Sequence, residues 1–218
     1  MKIKAFSFAR KNSQRCKNKM LRQFNNTTLV DIALNKLNKI NCETFFAGYE
    51  KEFEKKCHEH RINFVKRDKN STNIDEPIID ILSFLKNIDS DYFIIINSCL
   101  PFLKISTINE FINHCSKSNF KPTFSISKIS NFFLDKNKKP LNFEADLKTI
   151  NTKKVNPVYQ FTHALYFFEK KFFFENGRYW NWNDLNYFEI KDIYETIDID
   201  TEIDFINAEI LHKNIIND

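Results

Sequence analysis

Glycine is nearly missing from this chain: its 218 residues include two, Gly48 and Gly177. Neither a glycine-rich dinucleotide fingerprint nor a Walker P-loop can be written with two glycines so far apart. Long apolar runs are also missing. No stretch approaches the roughly 18 consecutive apolar residues of a membrane span. The opening Met1-Lys2-Ile3-Lys4 has no signal-peptide core. A cytoplasmic protein with no membrane partner is expected. The five cysteines, at 16, 42, 57, 99 and 115, are odd in number and irregular in spacing. That pattern argues against a disulfide framework and for reduced thiols. Extended basic runs are lacking as well. The net charge of +5 is met by a phosphate-rich small substrate and does not call for a nucleic-acid partner.

What is present is core-forming material. Hydrophobic residues make up 42% of the chain and 24 residues are Phe, enough for a packed interior. The length suits one sizeable α/β domain over residues 1–218.

Strand and helix patterns alternate. Residues 2–8 read as a strand and 9–27 as a long polar loop. Thr28-Leu29-Val30-Asp31 has the capping-box spacing. Leu29, Ile32, Ala33 and Leu37 then recur at helical spacing to Ile40. Strands are expected at 44–47, 62–65, 92–96, 123–127, 162–168 and 187–190, and helices at 49–60, 78–85 and 105–116. The run into Asp198 reads as a last strand end. Thr201 and Asp204 repeat the capping spacing before a final helix to about Ile215. The alternation breaks at 128–158, a Lys- and Asn-rich stretch with Pro140 and Pro157, read as an excursion from the sheet. The order implies a three-layer α/β domain with a mainly parallel central sheet. Ligands of such sheets sit beyond the carboxyl ends of the strands.

Two segments carry chemistry. Arg10, Lys11, Arg15, Lys17 and Lys19 crowd cations and the Ser13 hydroxyl into one loop after the first strand. Such a loop can hold a triphosphate, and it can equally be a solvated basic surface. At the other end, Asp198-Ile199-Asp200 puts two carboxylates on one side of an extended chain. The pair suits Mg²⁺, which prefers hard oxygen ligands, or simply precedes and caps the next helix. Cys57-His58-Glu59-His60 lacks a second ligand pair with zinc spacing. Trp180 and Trp182, with Tyr179, resemble an aromatic platform for bases, and read more readily as a hydrophobic patch or subunit contact.

Ala9-Arg10-x-x-Ser13-x-Arg15-x-Lys17-Asn18-Lys19 resembles the signature loop of the acylneuraminate cytidylyltransferase family. Asp198-Ile199-Asp200-Thr201-Glu202-x-Asp204-Phe205-x-x-Ala208-Glu209 is similar to that family's C-terminal motif. The resemblance implies a Rossmann-like nucleotidyltransferase domain with residues 128–160 as a small dimerisation excursion. It implies CTP bound by Ala9, Arg10, Ser13, Lys19, Arg67, Asn97 and Ser98. Arg10, Lys19 and Asp200 would be catalytic, and Asp198 and Asp200 would hold Mg²⁺. The phosphate-binding lysine is Lys19, or Lys17 if the Lys-Asn pair sets the match. Arg67 resembles the family's base-reading arginine, and Asn97-Ser98-Cys99-Leu100-Pro101 its Gln-Pro-Thr-Ser-Pro stretch. Residues 159–167 look like the strand lining the sugar pocket, with Gln160 and His163 as candidates; His163 also reads as an ordinary strand residue.

Departures from the pattern are Met20, Gly48, Asp68, Ile74, Cys99 and Leu100, and Thr152-Lys153-Lys154 for the usual Thr-Gln-Asp. The resemblance implies a cytoplasmic homodimer that transfers CMP from CTP to an acidic, sialic acid-like keto sugar for surface glycans, releasing pyrophosphate. Another sugar or sugar-phosphate acceptor, or a nucleotide-binding relative without turnover, stands beside it.

Overall fold

The computed structural model describes residues 1–72 and 76–217; Ile74 lies outside them. Among the described residues nine strands run in chain order: β1 (Ile3–Phe8), β2 (Gln23–Phe24), β3 (Thr27–Thr28), β4 (Glu43–Gly48), β5 (Asn63–Lys66), β6 (Tyr92–Ile96), β7 (Thr123–Ile129), β8 (Val158–Glu169) and β9 (Asn186–Glu189). The helices are α1 (Leu29–Lys39), α2 (Lys51–His60), α3 (Ile78–Ile81), α4 (Ile105–Lys117), α5 (Lys170–Asn176) and α6 (Glu202–Asn217).

Seven strands form one sheet in the order β5-β4-β1-β6-β8-β7-β9. Of these, β8 alone runs against the rest, antiparallel to both β6 and β7. The reason is its connection. The chain leaves β7, wanders through 130–157 without a crossover helix, and returns beside β7, and a parallel return would have needed a crossover. The excursion holds an isolated bridge between Leu134 and Pro140 and a short 3-10 turn at Thr152–Lys154.

Strand alternation divides the core in two. Ala5, Phe46, Ile94 and Phe167 face the layer of α1, α2, α4 and α6. Phe6, Phe45, Phe93 and Phe168 face the other side, against Leu82, Leu85 and Phe173. The second face is an aromatic lattice. Phe6 stacks on Phe45 at 5.0 Å, and Phe93 meets Phe168 at 5.9 Å. Gly48 ends β4 where a side chain would strike Phe53: an added Cβ would lie 3.1 Å from its ring.

The sheet's mainly parallel layout agrees with the sequence pattern, while several local readings change. Residues 9–27 are not all loop. They contain the β2–β3 hairpin, and Cys16, Met20 and Phe24 are buried. The helix expected at 78–85 breaks into α3 and a 3-10 turn at Ser83–Asn87. The run into Asp198 is no strand: a 3-10 turn at Ile193–Thr196 leads into irregular backbone. Ile199 is nonetheless fully buried, while its neighbours Asp198 and Asp200 are half-buried. Thr28 caps α1, accepting a hydrogen bond from the Asp31 amide at 3.2 Å. In α2, Cys57 is buried in the core and His60 bonds Asp31 at 2.9 Å.

Candidate active site

A cleft of about 610 Å³ opens beyond the carboxyl ends of β1 and β6. Its lining includes Ala9, Arg10, Ser13, Lys19, Arg67, Asn97, Ser98 and Asp200 from the sequence-derived set. Lys17 is exposed and does not line it. The chain folds so because β1 ends at Phe8 and the Ala9 amide continues its ladder to Ala47 at 3.2 Å. The basic loop then lies across the sheet edge. Met20 anchors its far end in the core, its carbonyl accepting from Val30 at the start of α1.

The two ends of the chain meet here. Lys19 is largely shielded, donates to the Ile199 carbonyl, and stands 3.5 Å from Asp200 Oδ1. Arg15 reaches the same oxygen at 2.9 Å. Burial pulls the Lys19 ammonium down, but its contacts with Cys99, Asp200 and Asp198 outweigh burial and hold its pKa above the ordinary value. Asp204 accepts from the Asp200 amide at 3.2 Å and the Thr201 amide at 2.7 Å, fixing the turn before α6.

Asp198 stands behind Asn97. The Asn97 amide donates to Asp198 Oδ2 and to the His163 carbonyl, each at 3.1 Å, and its oxygen accepts from the Cys99 amide at 2.9 Å. The other oxygen, Asp198 Oδ1, is buried without a hydrogen-bond partner. Burial, then repulsion from Asp200, raises the Asp198 pKa. A desolvated carboxylate oxygen with nothing to hold is costly unless a cation is meant to meet it.

Arg67 forms the opposite wall. Its guanidinium is buried and donates to the carbonyls of Ala9, Ser71 and Ile81. It also lies over Phe8, 5.0 Å from the ring centroid. Burial pushes its pKa down to about 10. With these bonds made, Arg67 shapes that wall, and Nε is its buried unpaired donor. Arg10 donates to Thr72 at 3.2 Å, and Ser98 donates to the Phe8 carbonyl at 3.1 Å.

The sugar-pocket candidates separate. Gln160 is exposed, bonds Ser127 at 3.2 Å and lies outside the cleft lining. A bulge explains the separation: the β7–β8 register jumps between Phe124 and Ile126, leaving residues 162–165 opposite Ser125 alone. Ser125 Oγ ties the bulge together, accepting from Leu165 N at 2.9 Å and bonding Thr162 at 2.7 Å. His163 sits on the bulge with φ +53°, and its ring bonds the Tyr166 hydroxyl.

Tyr166, Ile78 and Ile81, which sequence reasoning did not name for the site, complete an apolar wall with Tyr179. A bulge is invisible to a period-two reading, so Tyr166 could not be assigned a face in advance.

The fold and this cleft define an α/β nucleotidyltransferase fold with a basic loop opposed to a carboxylate pair. The profile of the cytidylyltransferase family matches residues 8–214, and the chain belongs to that family. No curated protein sequence matches. Among solved structures, the chain is similar to a CMP:2-keto-3-deoxy-manno-octonic acid synthetase complexed with CTP. The TM-score is 0.72 at 10% identity, covering 98% of this chain and 99% of that one. It is also similar to 4-diphosphocytidyl-2C-methyl-D-erythritol synthase from Anaerococcus prevotii DSM 20548. There the TM-score is 0.67 at 15% identity, with 97% and 96% covered. Among the described residues no helix is long and apolar enough to cross a membrane.

Proposed function

We propose that this protein transfers CMP from CTP to a hydroxyl of an acidic keto sugar and releases pyrophosphate. The observation that carries the reading is the convergence of Lys19 and Arg15 on Asp200, beside the unpartnered Asp198 oxygen. Arg10, Ser13, Arg15 and Lys19 surround the triphosphate. The acceptor hydroxyl oxygen forms a new bond at the α-phosphorus as the bond to pyrophosphate breaks, and its proton leaves to water. Negative charge grows on the leaving pyrophosphate, and preorganised cations offset it there. Asn97 holds Asp198 in place. Among the described residues no group of three or more His, Cys, Asp or Glu gathers. Two carboxylates that leave coordination positions for phosphate oxygens and water are a donor set that fits Mg²⁺. When bound there, Mg²⁺ would supply Lewis-acid neutralisation of the phosphates.

The likeness to the CMP:2-keto-3-deoxy-manno-octonic acid synthetase favours an acidic keto sugar. Tyr166 in the cleft lining, with His163 bonded to its hydroxyl, supplies polar groups for it. The likeness to the methylerythritol enzyme supports the second reading, a different acceptor. Lys153 and Lys154, both exposed and outside the cleft lining, supply no charge for an anion there. The same reading places the enzyme in the cytoplasm as a homodimer joined through residues 128–160. Exposed Leu134, Leu141 and Ile150 in that stretch support the contact. Sedimentation velocity tests it, and a monomer at micromolar concentration removes it.

The deciding experiment is pyrophosphate release with CTP and Mg²⁺ across N-acetylneuraminate, legionaminate, pseudaminate and Kdo, with ATP, GTP and UTP as controls. Release with CTP and one acid names the acceptor. Silence with these acids, and release when a sugar phosphate or polyol phosphate is added to the panel, establishes the second reading. CTP binding without release from any acceptor identifies a relative without turnover.

A further inference from the structure

Lys36 is a lysine in the wrong place for its charge. It lies on the buried face of α1 with Leu29, Ala33 and Leu37. Its ammonium has no carboxylate within ion-pairing distance among the described residues, and Glu195 supports it from farther off. It donates instead to two backbone carbonyls, Leu100 at 2.6 Å and Pro101 at 2.9 Å. An apolar side chain would fill this position without desolvating a charge. What the lysine adds is a grip on the loop between β6 and α4.

That loop is the shelf on which the carboxylates rest. The residue before Leu100 is Cys99, whose carbonyl accepts from the Ile199 amide at 3.0 Å. The Cys99 amide bonds Asn97, and Asn97 bonds Asp198. The loop's other end is tied to the same C-terminal segment, for the Lys104 amide donates to buried Glu195 at 2.8 Å. Held from beneath by Lys36, the loop presents Asn97, Ser98 and Cys99 to the cleft and fixes the backbone beside Asp198 and Asp200.

We propose that Lys36 is a positioning residue for the reaction: by clamping the Leu100 and Pro101 carbonyls it sets the Asn97–Asp198 geometry without touching either substrate. The proposal rests on the functional reading above for its catalytic consequence, while the clamp itself does not. Two readouts separate them. In Lys36→Met, amide hydrogen exchange over residues 97–101 and 197–200 is expected to speed up by about tenfold or more, with β1 and β4 unchanged. In the same variant, kcat for pyrophosphate release is expected to fall by about tenfold or more, with KM for CTP held within about threefold. That split marks a lost transition-state geometry, which a general loss of packing would not produce.

Lys36→Gln, which keeps a neutral N–H donor, should recover part of both losses. It carries the same comparisons if the methionine variant does not fold. Unchanged exchange in those two segments, or kcat within about twofold of the parent, overturns the proposal. If the parent enzyme itself releases no pyrophosphate, the functional reading falls, and the exchange measurement decides the clamp by itself.

Discussion

Asp200 touches both Arg15 and Lys19, so its charge serves the cleft rather than the core. Asp200→Asn is nearly isosteric and should leave the far-ultraviolet circular dichroism and melting midpoint unchanged. Turnover should fall by about 100-fold or more; full activity in this variant would remove Asp200 from the mechanism. Lys17→Ala serves as the companion, because Lys17 points to solvent. It should retain activity within about twofold, whereas Lys19→Met should lose most of it.

Asp31 shows a second residue whose role is structural. Burial raises its pKa, but hydrogen bonds from Thr28, Lys56 and His60 outweigh burial and hold it below 3.8. Its contribution is therefore present above pH 3.8 and is lost as pH falls through the lower folded value. Asp31→Asn should reduce stability by about 1 kcal/mol at pH 7, given partial exposure of the pair with Lys56. The gap between parent and variant in urea titrations should close on acidification. A constant gap down to pH 3 would show that the carboxylate charge is not involved.

Among the elements, the β8 bulge has the greatest consequence for the site. Its four residues against one place His163 in a left-handed conformation and aim its carbonyl at Asn97. Ser125 is the bolt. Ser125→Ala would leave the Leu165 amide and the Thr162 hydroxyl without that buried partner. The expected loss is about 1–3 kcal/mol of stability, read as a lower urea midpoint, together with reduced turnover. Loss of stability with kcat unchanged would detach the bulge from function.

Element boundaries also show how much the sequence disclosed. β1, β6, α1 and α4 follow from periodicity and capping, and they appear within a residue or two of expectation. The hairpin at 23–28, which buries Phe24, was hidden by polar neighbours, and the split of 78–85 by a helical pattern too short to settle its own geometry. Lys36 was legible in principle: it interrupts the apolar stripe of α1 at a helical interval, which is itself a signal.

For the whole molecule, the clearest titration belongs to Lys36. Burial pushes its pKa down to about 7 from 10.5. Between those values the unfolded chain binds the proton and the folded chain does not, so this group's contribution to stability rises with pH across that window. Below about 7 the folded chain carries the full burden of a buried ammonium. Relative to Lys36→Met, the parent should therefore gain stability between pH 7 and pH 10. Parallel curves for the two proteins would contradict this assignment.

By itself the sequence determined the alternation of strands and helices, the lack of glycine-rich nucleotide motifs, and the two end segments that carry charge. These are local properties, set by side-chain period, capping chemistry and composition, and they can be read without knowing the neighbours. Only the tertiary structure decided that Lys19 would meet Ile199 and Asp200 some 180 residues away. It alone put Lys19 in the cleft lining and Lys17 outside it, set Gln160 outside the cleft, and left Asp198 with an unpaired oxygen. The physical reason is that these outcomes depend on strand order, on one inserted bulge and on which groups lose water when the sheet closes. Each of these is a property of contacts between distant segments, which no local pattern encodes.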